Sequence, residues 1–255
     1  MIMTNREKTK LALESIETGD SRGFAAINPN KYIQHNLSIP TGAEGIAAVV
    51  QNKPPQGFKA KVVRVFEDGD YTFAHTEYDF FGPKVGFDVF RFEDGLIVEH
   101  WDNLMETRPA NKSGRTLTDG TTEIAESDQT DSNKRLVEKF FRENILDGAG
   151  TFADYLAPDL IQHNPDGADG LAGLSEMMRF FTTDGHAMRY DKIHKVLGEG
   201  NFVLLMSEGV YGPNGGAPTA FYDLFRVESG RIVEHWDVLE PILPEAQRLN
   251  NNGKF

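Results

Sequence analysis

Histidine is scarce in this chain, and four of its seven histidines lie in short motifs that occur twice. QHN stands at 34–36 and again at 162–164, while IVEHWD stands at 97–102 and again at 232–237. An imidazole gains and loses its proton near neutral pH, and a neighbouring carboxylate helps it to pass that proton on. The repeated motifs therefore indicate either proton-transfer chemistry or buried histidine–carboxylate pairs that serve only the fold.

The hairpin that ends the first repeat decides which carboxylate meets the histidine. Side chains alternate between the two faces of a strand, so a shift of one residue exchanges the faces. A three-residue loop at 93–95 would place Asp88 opposite His100, whereas a two-residue loop would place Asp88 beside Trp101. We favour the three-residue loop because it gathers Phe90 and its apolar neighbours on the same face as Asp88 and His100.

The second repeat predicts the same pair, with Asp223 opposite His235 across a loop at 228–230. A carboxylate among apolar side chains is poorly solvated, which raises its pKa, whereas a neighbouring imidazolium lowers it. We therefore take both pairs as acid–base candidates. Eight further residues are expected to line the two pockets and contact substrate: His35, His163, His75, Tyr78, Phe90, Asp102, Phe225 and Asp237.

The two copies are not identical in their polar residues. His75 of the first copy aligns with Met206, and Tyr78 aligns with Gly209. The first pocket is therefore expected to be the more polar one. For the histidines of the QHN motifs, a ring that caps a helix end is as good an interpretation as a ring that faces the pocket.

The duplication also divides the chain into domains, because a long period that occurs twice signals a repeated domain. We predict domains at 1–106 and 132–243, joined by a polar linker at 107–131 and followed by a loose tail at 244–255. Within each domain, amphipathic helices precede four strands rich in Val, Phe and Tyr. This order is typical of an α+β domain whose sheet curls around its helices and leaves a pocket.

Composition excludes several classes of function. The net charge is −13, and no basic stripe is present to bind nucleic acid. There is no cysteine for a disulfide, a thiolate metal site or a thiol nucleophile. No apolar run approaches the length of a membrane span, and the first residues lack the apolar core of a secretory signal. A cytoplasmic location is the default expectation.

The segments YIQHN, FDVFRFEDGLIVEHWD and GRTLTDG resemble the SnoaL-like branch of the nuclear-transport-factor-2-like superfamily, in tandem-duplicated form. The resemblance implies two tandem cone-shaped α+β barrels, each a curved antiparallel sheet wrapped around three helices. Superfamily members include polyketide cyclases, ketosteroid isomerases, dehydratases and epoxide hydrolases, and others only bind a ligand. In the enzymes, a pocket Asp, His or Tyr typically moves a proton beside a carbonyl without a cofactor.

Three functional hypotheses follow. The first is a cofactor-free lyase, isomerase or cyclase that acts on a small, partly apolar carbonyl compound and needs no metal. The second is a non-catalytic protein whose twin pockets bind a small molecule. The third is a metal-dependent enzyme that uses His35, His100 and Asp102, a set of two imidazoles and one carboxylate. Because Trp101 and Trp236 face away from the pockets, we also expect an internal pseudo-dimer of the two domains and consider a further homodimer.

Overall fold

The computed structural model shows two compact units, the first comprising Met1–Glu106 with Ile242–Phe255 and the second comprising Thr107–Pro241. This grouping differs from the predicted division, since the predicted linker belongs to unit 2 and the predicted tail belongs to unit 1. The residues that the structure describes are 3–52, 54, 56–181, 183 and 185–255.

Unit 1 places three helices before the four long strands of its sheet. The sheet has five strands in the order β1-β5-β4-β3-β2, in which β1 runs parallel to β5 and the other neighbours are antiparallel. The elements are α1 (Asn5–Thr18), α2 (Ser21–Ala25), β1 (Ile33–Gln34), α3 (Ala43–Gln51), β2 (Lys59–Asp68), β3 (Tyr71–Asp79), β4 (Pro83–Glu93) and β5 (Leu96–Glu106).

Unit 2 repeats this order in its own sheet, β6-β10-β9-β8-β7. A short 3₁₀ turn (Ser127–Gln129) precedes its first helix, which continues as a π-helical segment (Phe141–Leu146), and another 3₁₀ turn (Glu245–Gln247) lies in the final segment of unit 1. The other elements are α4 (Thr130–Phe140), α5 (Phe152–Tyr155), β6 (Leu156–Gln162), α6 (Gly170–Phe181), β7 (Ala187–Glu199), β8 (Phe202–Gly212), β9 (Ala217–Glu228) and β10 (Arg231–Pro241). The predicted α+β class, with one mostly antiparallel sheet and three helices in each of two tandem units, is confirmed.

Helix α1 begins at a capping box formed by Thr4 and Glu7. The backbone N–H of Glu7 donates to Oγ1 of Thr4 at 3.2 Å, and the backbone N–H of Thr4 donates to Oε2 of Glu7 at 2.8 Å. The helix ends at Gly19, whose φ of 72° is left-handed. Between these ends, Leu13 is buried in the apolar core that lies against the sheet of unit 1.

The hairpin between β4 and β5 corrects the predicted three-residue loop. Asp94 and Gly95 both have positive φ, at 51° and 75°, and form a two-residue loop that pairs Glu93 with Leu96. A β-bulge then inserts Val98 into β5, since the register shifts between the pairs formed by residues 91 and 92. Because of this extra residue, the side chains that follow Val98 in β5 lie on the faces that were predicted for the three-residue loop.

The pairing around the site changes accordingly. His100 lies opposite Phe90, and Asp88 lies opposite Asp102. Asp88 and His100 are therefore diagonal neighbours on one face. The prediction that they lie directly opposite each other was wrong. Unit 2 has the same loop at 229–230 and the same bulge, so Asp223 lies opposite Asp237.

The predicted linker and tail are held in place by asparagine side chains. Nδ2 of Asn111 donates to the backbone carbonyl of Gln162 at 2.6 Å, and Nδ2 of Asn250 donates to that of Asn36 at 2.8 Å. Both asparagines are buried. Polar composition suggested loose segments, but a buried amide that pairs with backbone groups orders a segment as well as an apolar side chain does. No helix in the described part of the chain is both long and apolar enough to span a membrane.

Candidate functional site

Unit 1 contains a cavity of about 280 Å³ between its helices and the inner face of its sheet. Aliphatic and aromatic side chains from α1 and α3 form most of one wall. The opposite wall is formed by strands β3 to β5, which bring Asp88, His100, Asp102, Tyr78 and Phe90 to the cavity. The polar groups thus lie together on an otherwise apolar surface.

Asp88 is the centre of a hydrogen-bonded group at this wall. Nε2 of His100 lies 3.1 Å from Oδ1 of Asp88, and the hydroxyl of Tyr78 donates to Oδ2 of Asp88 at 2.5 Å. The ring of Phe90 stacks on His100 with the ring centres 4.4 Å apart. Nδ2 of Asn36 donates to Oδ2 of Asp102 at 2.7 Å. Each polar side chain is therefore fixed by at least one partner.

Burial raises the pKa values of Asp88 and Tyr78 at this wall. It raises the pKa of Asp88, and the hydrogen bond and charge of His100 offset part of that increase, while the charge of Asp102 adds to it. Burial and the charge of Asp88 raise the pKa of Tyr78 well above its ordinary value. Tyr78 therefore remains a hydrogen-bond donor at neutral pH, beside a carboxylate that holds its proton more tightly than usual.

Unit 2 contains a second cavity, of about 170 Å³, with the equivalent residues on its wall. Nε2 of His235 lies 3.0 Å from Oδ1 of Asp223, and its Nδ1 lies 3.0 Å from Oε1 of Gln162. Phe225 stacks on His235 with the ring centres 4.8 Å apart. Asp237 lines the same cavity. The predicted pair is therefore in contact in both units.

The charges in unit 2 act on one another. Burial lowers the pKa of His235, but the hydrogen bond to Asp223 and the charges of both carboxylates raise it further, so the net shift is upward. Burial raises the pKa of Asp237, against the opposing effect of His235.

The tyrosine of each pocket comes from a different strand. In unit 1, Tyr78 of β3 pairs with Ala60 of β2. In unit 2, Gly209 of β8 pairs with Tyr190 of β7, and Tyr190 lines the cavity. The tyrosine and the small residue that pairs with it have therefore exchanged strands between the two units. In unit 2 the phenol of Tyr190 approaches Asp223 from β7, the strand next to β8.

Replacing Gly209 with alanine is expected to destabilise the protein by about 1–3 kcal/mol, the usual cost of overpacking. An added Cβ would lie 1.9 Å from the carbonyl oxygen of Arg189 and 2.8 Å from Cα of Tyr190, and both are backbone atoms that cannot turn aside. The measurement is the free energy of unfolding in urea. An unchanged midpoint would show that β7 moves away freely and that the close approach has no structural importance.

His35 does not line the cavity, contrary to the prediction. Its side chain is buried against Trp101, with the ring centres 4.8 Å apart, and its Nε2 lies 3.0 Å from Oε1 of Glu99. Its Nδ1 donates to the backbone carbonyl of Gly253 at 2.9 Å. Glu99 and Trp101 flank His100 in the strand, so their side chains, and His35 with them, lie on the other face of the sheet.

His163 repeats this arrangement in unit 2 and is likewise absent from the cavity wall. It stacks on Trp236, its Nε2 lies 2.9 Å from Oε1 of Glu234, and its Nδ1 donates to the carbonyl of Thr116 at 2.8 Å. Glu234 also accepts from Nε of Arg226 at 2.6 Å. The histidines of the QHN motifs therefore belong to buried ion-pair networks on the outer faces of the sheets.

The predicted metal set of His35, His100 and Asp102 is not formed, because His35 lies across the sheet from the other two. His100 and Asp102 are instead grouped with Asp88, and one ligand atom from each residue lies within 4.8 Å of the others. A corresponding group in unit 2 consists of Asp223, His235 and Asp237.

His75 is also wrongly placed by the sequence prediction. Its ring stacks on Phe87 with the ring centres 4.3 Å apart, and the residue is buried outside the cavity. The reason is strand periodicity: His75 and Tyr78 are three positions apart in β3, so they cannot share a face. Tyr78 lines the cavity, so His75 lies on the opposite face of the sheet.

The residues that hold the second aspartate of each site were not predicted from the sequence. Asn36 donates to Asp102, and Asn164 donates to Oδ2 of Asp237 at 2.7 Å. Gln162, which lines the cavity of unit 2, also accepts from the backbone N–H of Asn164 at 2.9 Å. The repeated QHN motif could have indicated these residues. Its asparagine and glutamine contact groups of the pocket, whereas its histidine does not.

Similar solved structures each correspond to less than half of the chain. An NTF2-like protein of unknown function from Cytophaga hutchinsonii is 15% identical, with a TM-score of 0.36, over 41% of this chain and 93% of its own. A cystatin-like-fold protein of unknown function from Xanthomonas campestris is 24% identical, with a TM-score of 0.37, over 45% and 94%. An LEH-like epoxide hydrolase from M. tuberculosis is 21% identical, with a TM-score of 0.36, over 44% and 85%.

No curated protein matches the chain. Residues 137–235 match the family model described as a SnoaL-like domain. That range extends from α4 to β10, ends at His235, and so contains the candidate pair of unit 2. The second half of the chain is therefore similar to the SnoaL-like domain family.

Proposed function

We propose that this protein is a cofactor-free acid–base enzyme, of lyase, isomerase or cyclase type, that acts on a small, partly apolar carbonyl compound. The observation that carries the proposal is the Tyr78–Asp88–His100 group on the wall of an apolar cavity. A buried carboxylate with a raised pKa is a stronger base than an exposed one, and the apolar walls suit the carbon skeleton of such a substrate.

Asp88 is the residue that we propose as the base. Its carboxylate would take the proton from the carbon next to the carbonyl, and the electron pair would move toward the carbonyl oxygen as an enolate forms. His100 is the proposed positioning residue, because its Nε2 contacts Oδ1 of Asp88 and so fixes the orientation of that carboxylate. Returning the proton to a second carbon gives isomerisation, and attack by the enolate on a second carbonyl gives cyclisation.

The size of the cavity restricts the substrate. Its volume of about 280 Å³ is just below the usual range for small-molecule pockets, about 300–1,000 Å³. A cavity of this size therefore restricts the substrate to a small molecule. In unit 2, Asp223 and His235 offer the same pair in a smaller cavity.

The proposal is tested by proton exchange, which requires the base alone and no knowledge of the natural reaction. The full chain is incubated in D₂O with cyclohexanone or acetophenone, and loss of the α-proton signal is followed by NMR. We expect catalysed exchange above the buffer rate.

The apolar lining also suits a second function, the storage or transport of an apolar metabolite. Ligand-observed NMR on the same samples separates the two. Binding of a ketone without any exchange would contradict the enzymatic proposal and favour the binding protein.

A further inference from the structure

We infer that the pocket of unit 2 is a binding site for one divalent transition-metal ion, held by Asp223, His235 and Asp237. One ligand atom from each residue lies within 4.8 Å of the others. All three side chains line the same cavity. Two carboxylates and one imidazole form a mixed oxygen and nitrogen set, which suits ions such as Mn²⁺, Co²⁺ and Zn²⁺.

Two carboxylate oxygens of this group lack hydrogen-bond partners. Within the described residues, neither Oδ2 of Asp223 nor Oδ1 of Asp237 accepts a hydrogen bond. Asp223 is 2% exposed and Asp237 is 3% exposed, so water does not solvate them freely. A buried carboxylate oxygen without a partner is costly, and a bound cation removes that cost for both oxygens at once.

The remaining polar atoms are arranged as the outer partners of a metal site. Oε1 of Gln162 can only accept, so Nδ1 of His235 carries a hydrogen, and Nε2 is the nitrogen that would bind the ion in place of its proton. Nδ2 of Asn164 donates to Oδ2 of Asp237 at 2.7 Å and leaves Oδ1 to bind the ion. Metal-binding histidines and carboxylates are ordinarily oriented by hydrogen bonds of this kind.

In unit 1 both oxygens of Asp88 are hydrogen-bonded within the protein, and a lysine lies near the second aspartate. Tyr78 and His100 contact the two oxygens of Asp88. Nζ of Lys254 lies 3.8 Å from Oδ1 of Asp102, the oxygen that does not bond to Asn36. Both sites have a phenol beside the first aspartate, Tyr78 in unit 1 and Tyr190 in unit 2, so the difference between them is the ammonium group near Asp102.

The lysine has an apolar counterpart in unit 2. Lys254 follows Gly253, whose carbonyl accepts from His35, whereas Leu117 follows Thr116, whose carbonyl accepts from His163. Leu117 is buried. By this correspondence Leu117 takes the place of Lys254 in the chain, and the lack of an equivalent lysine assigns the ion to unit 2.

The test is a titration of the full chain with Co²⁺ alone, followed by visible absorption and by calorimetry. We expect one ion per chain, displaced by Zn²⁺. Asp223→Asn and Asp237→Asn should each weaken Co²⁺ binding at least tenfold, because each removes a charged ligand. Asp102→Asn is the matched control, since Asp102 is equally buried in unit 1, and its ion stoichiometry should remain one.

A measurement on the unaltered protein covers the case in which a variant does not fold. Co²⁺ is paramagnetic, so its binding should shift or broaden the ring signals of His235 and leave those of His100 in place. Absence of any bound ion, binding that survives both substitutions in unit 2, or broadening confined to His100 would each overturn the assignment.

Discussion

Replacing Asp88 with asparagine is expected to lower the rate of catalysed α-proton exchange by about 10²- to 10⁴-fold, the usual contribution of a positioned general base. Asparagine has nearly the same shape but cannot take up a proton. Its amide can still bond to His100 and Tyr78, which contact the two oxygens of Asp88. The measurement is the exchange rate of the same ketone with equal amounts of the two proteins.

The matched control is Asp70→Asn, the same chemical change at an exposed position in the turn between β2 and β3. This variant should exchange at the original rate. If Asp88→Asn keeps the full rate while folded, Asp88 is not the base. If its rate falls only in proportion to a lowered melting temperature, the role of Asp88 is structural.

The pH dependence of the exchange follows from the same group. Because burial raises the pKa of Asp88, its active carboxylate form should appear only above the ordinary aspartate value of about 3.9. The rate should therefore rise with pH through the raised pKa of Asp88. A pH–rate profile checks this, and a rate that levels off at an ordinary aspartate pKa would contradict it.

Stability should change in the opposite direction over the same range. Between the ordinary and the raised pKa of Asp88, the native state binds more protons than the unfolded state does. Its contribution is present below the unfolded pKa and is lost as the pH rises through the folded one. Urea denaturation at several pH values should show this loss in the original protein and not in Asp88→Asn.

The second large effect is expected at Glu234, on the outer face of the sheet in unit 2. Replacing it with glutamine should destabilise the protein by about 3–5 kcal/mol, the usual cost of removing one partner of a buried ion pair. Glu234 is 2% exposed and contacts both His163 and Arg226. Burial raises the pKa of Glu234, but these two partners lower it by a larger amount. The net shift is therefore downward, and the charged form is stabilised.

Glu99→Gln in unit 1 is the control for this substitution. Glu99 contacts His35 and Arg91 in the equivalent arrangement, but its side chain is 15% exposed. Water can replace part of the lost interaction, so the destabilisation should be smaller. The measurement is the free energy of unfolding of both variants in urea. Equal losses, or a larger loss for Glu99→Gln, would show that burial does not set the strength of these networks.

The sequence by itself determined the features that depend on neighbouring residues. The periodicity of apolar residues and the glycine-containing turns predicted helices followed by a four-stranded meander in each copy. Strand alternation placed Phe90 on the face of Asp88, and the structure has it at the cavity. Alternation also excluded His75 from the face of Tyr78, although the sequence analysis did not apply it. These inferences succeed because a strand sets the directions of its side chains locally.

Only the tertiary structure decided which of these residues meet. The bulge at Val98 sets the register that brings His100 diagonally beside Asp88, and a bulge is an irregularity that the sequence pattern does not display. The partners of His35 and Asp102 include Gly253 and Lys254, which are distant along the chain. Local sequence limits the conformations of a segment, whereas contacts between distant segments depend on how the whole unit folds. At this site, those contacts determine which charged groups lie near the carboxylates.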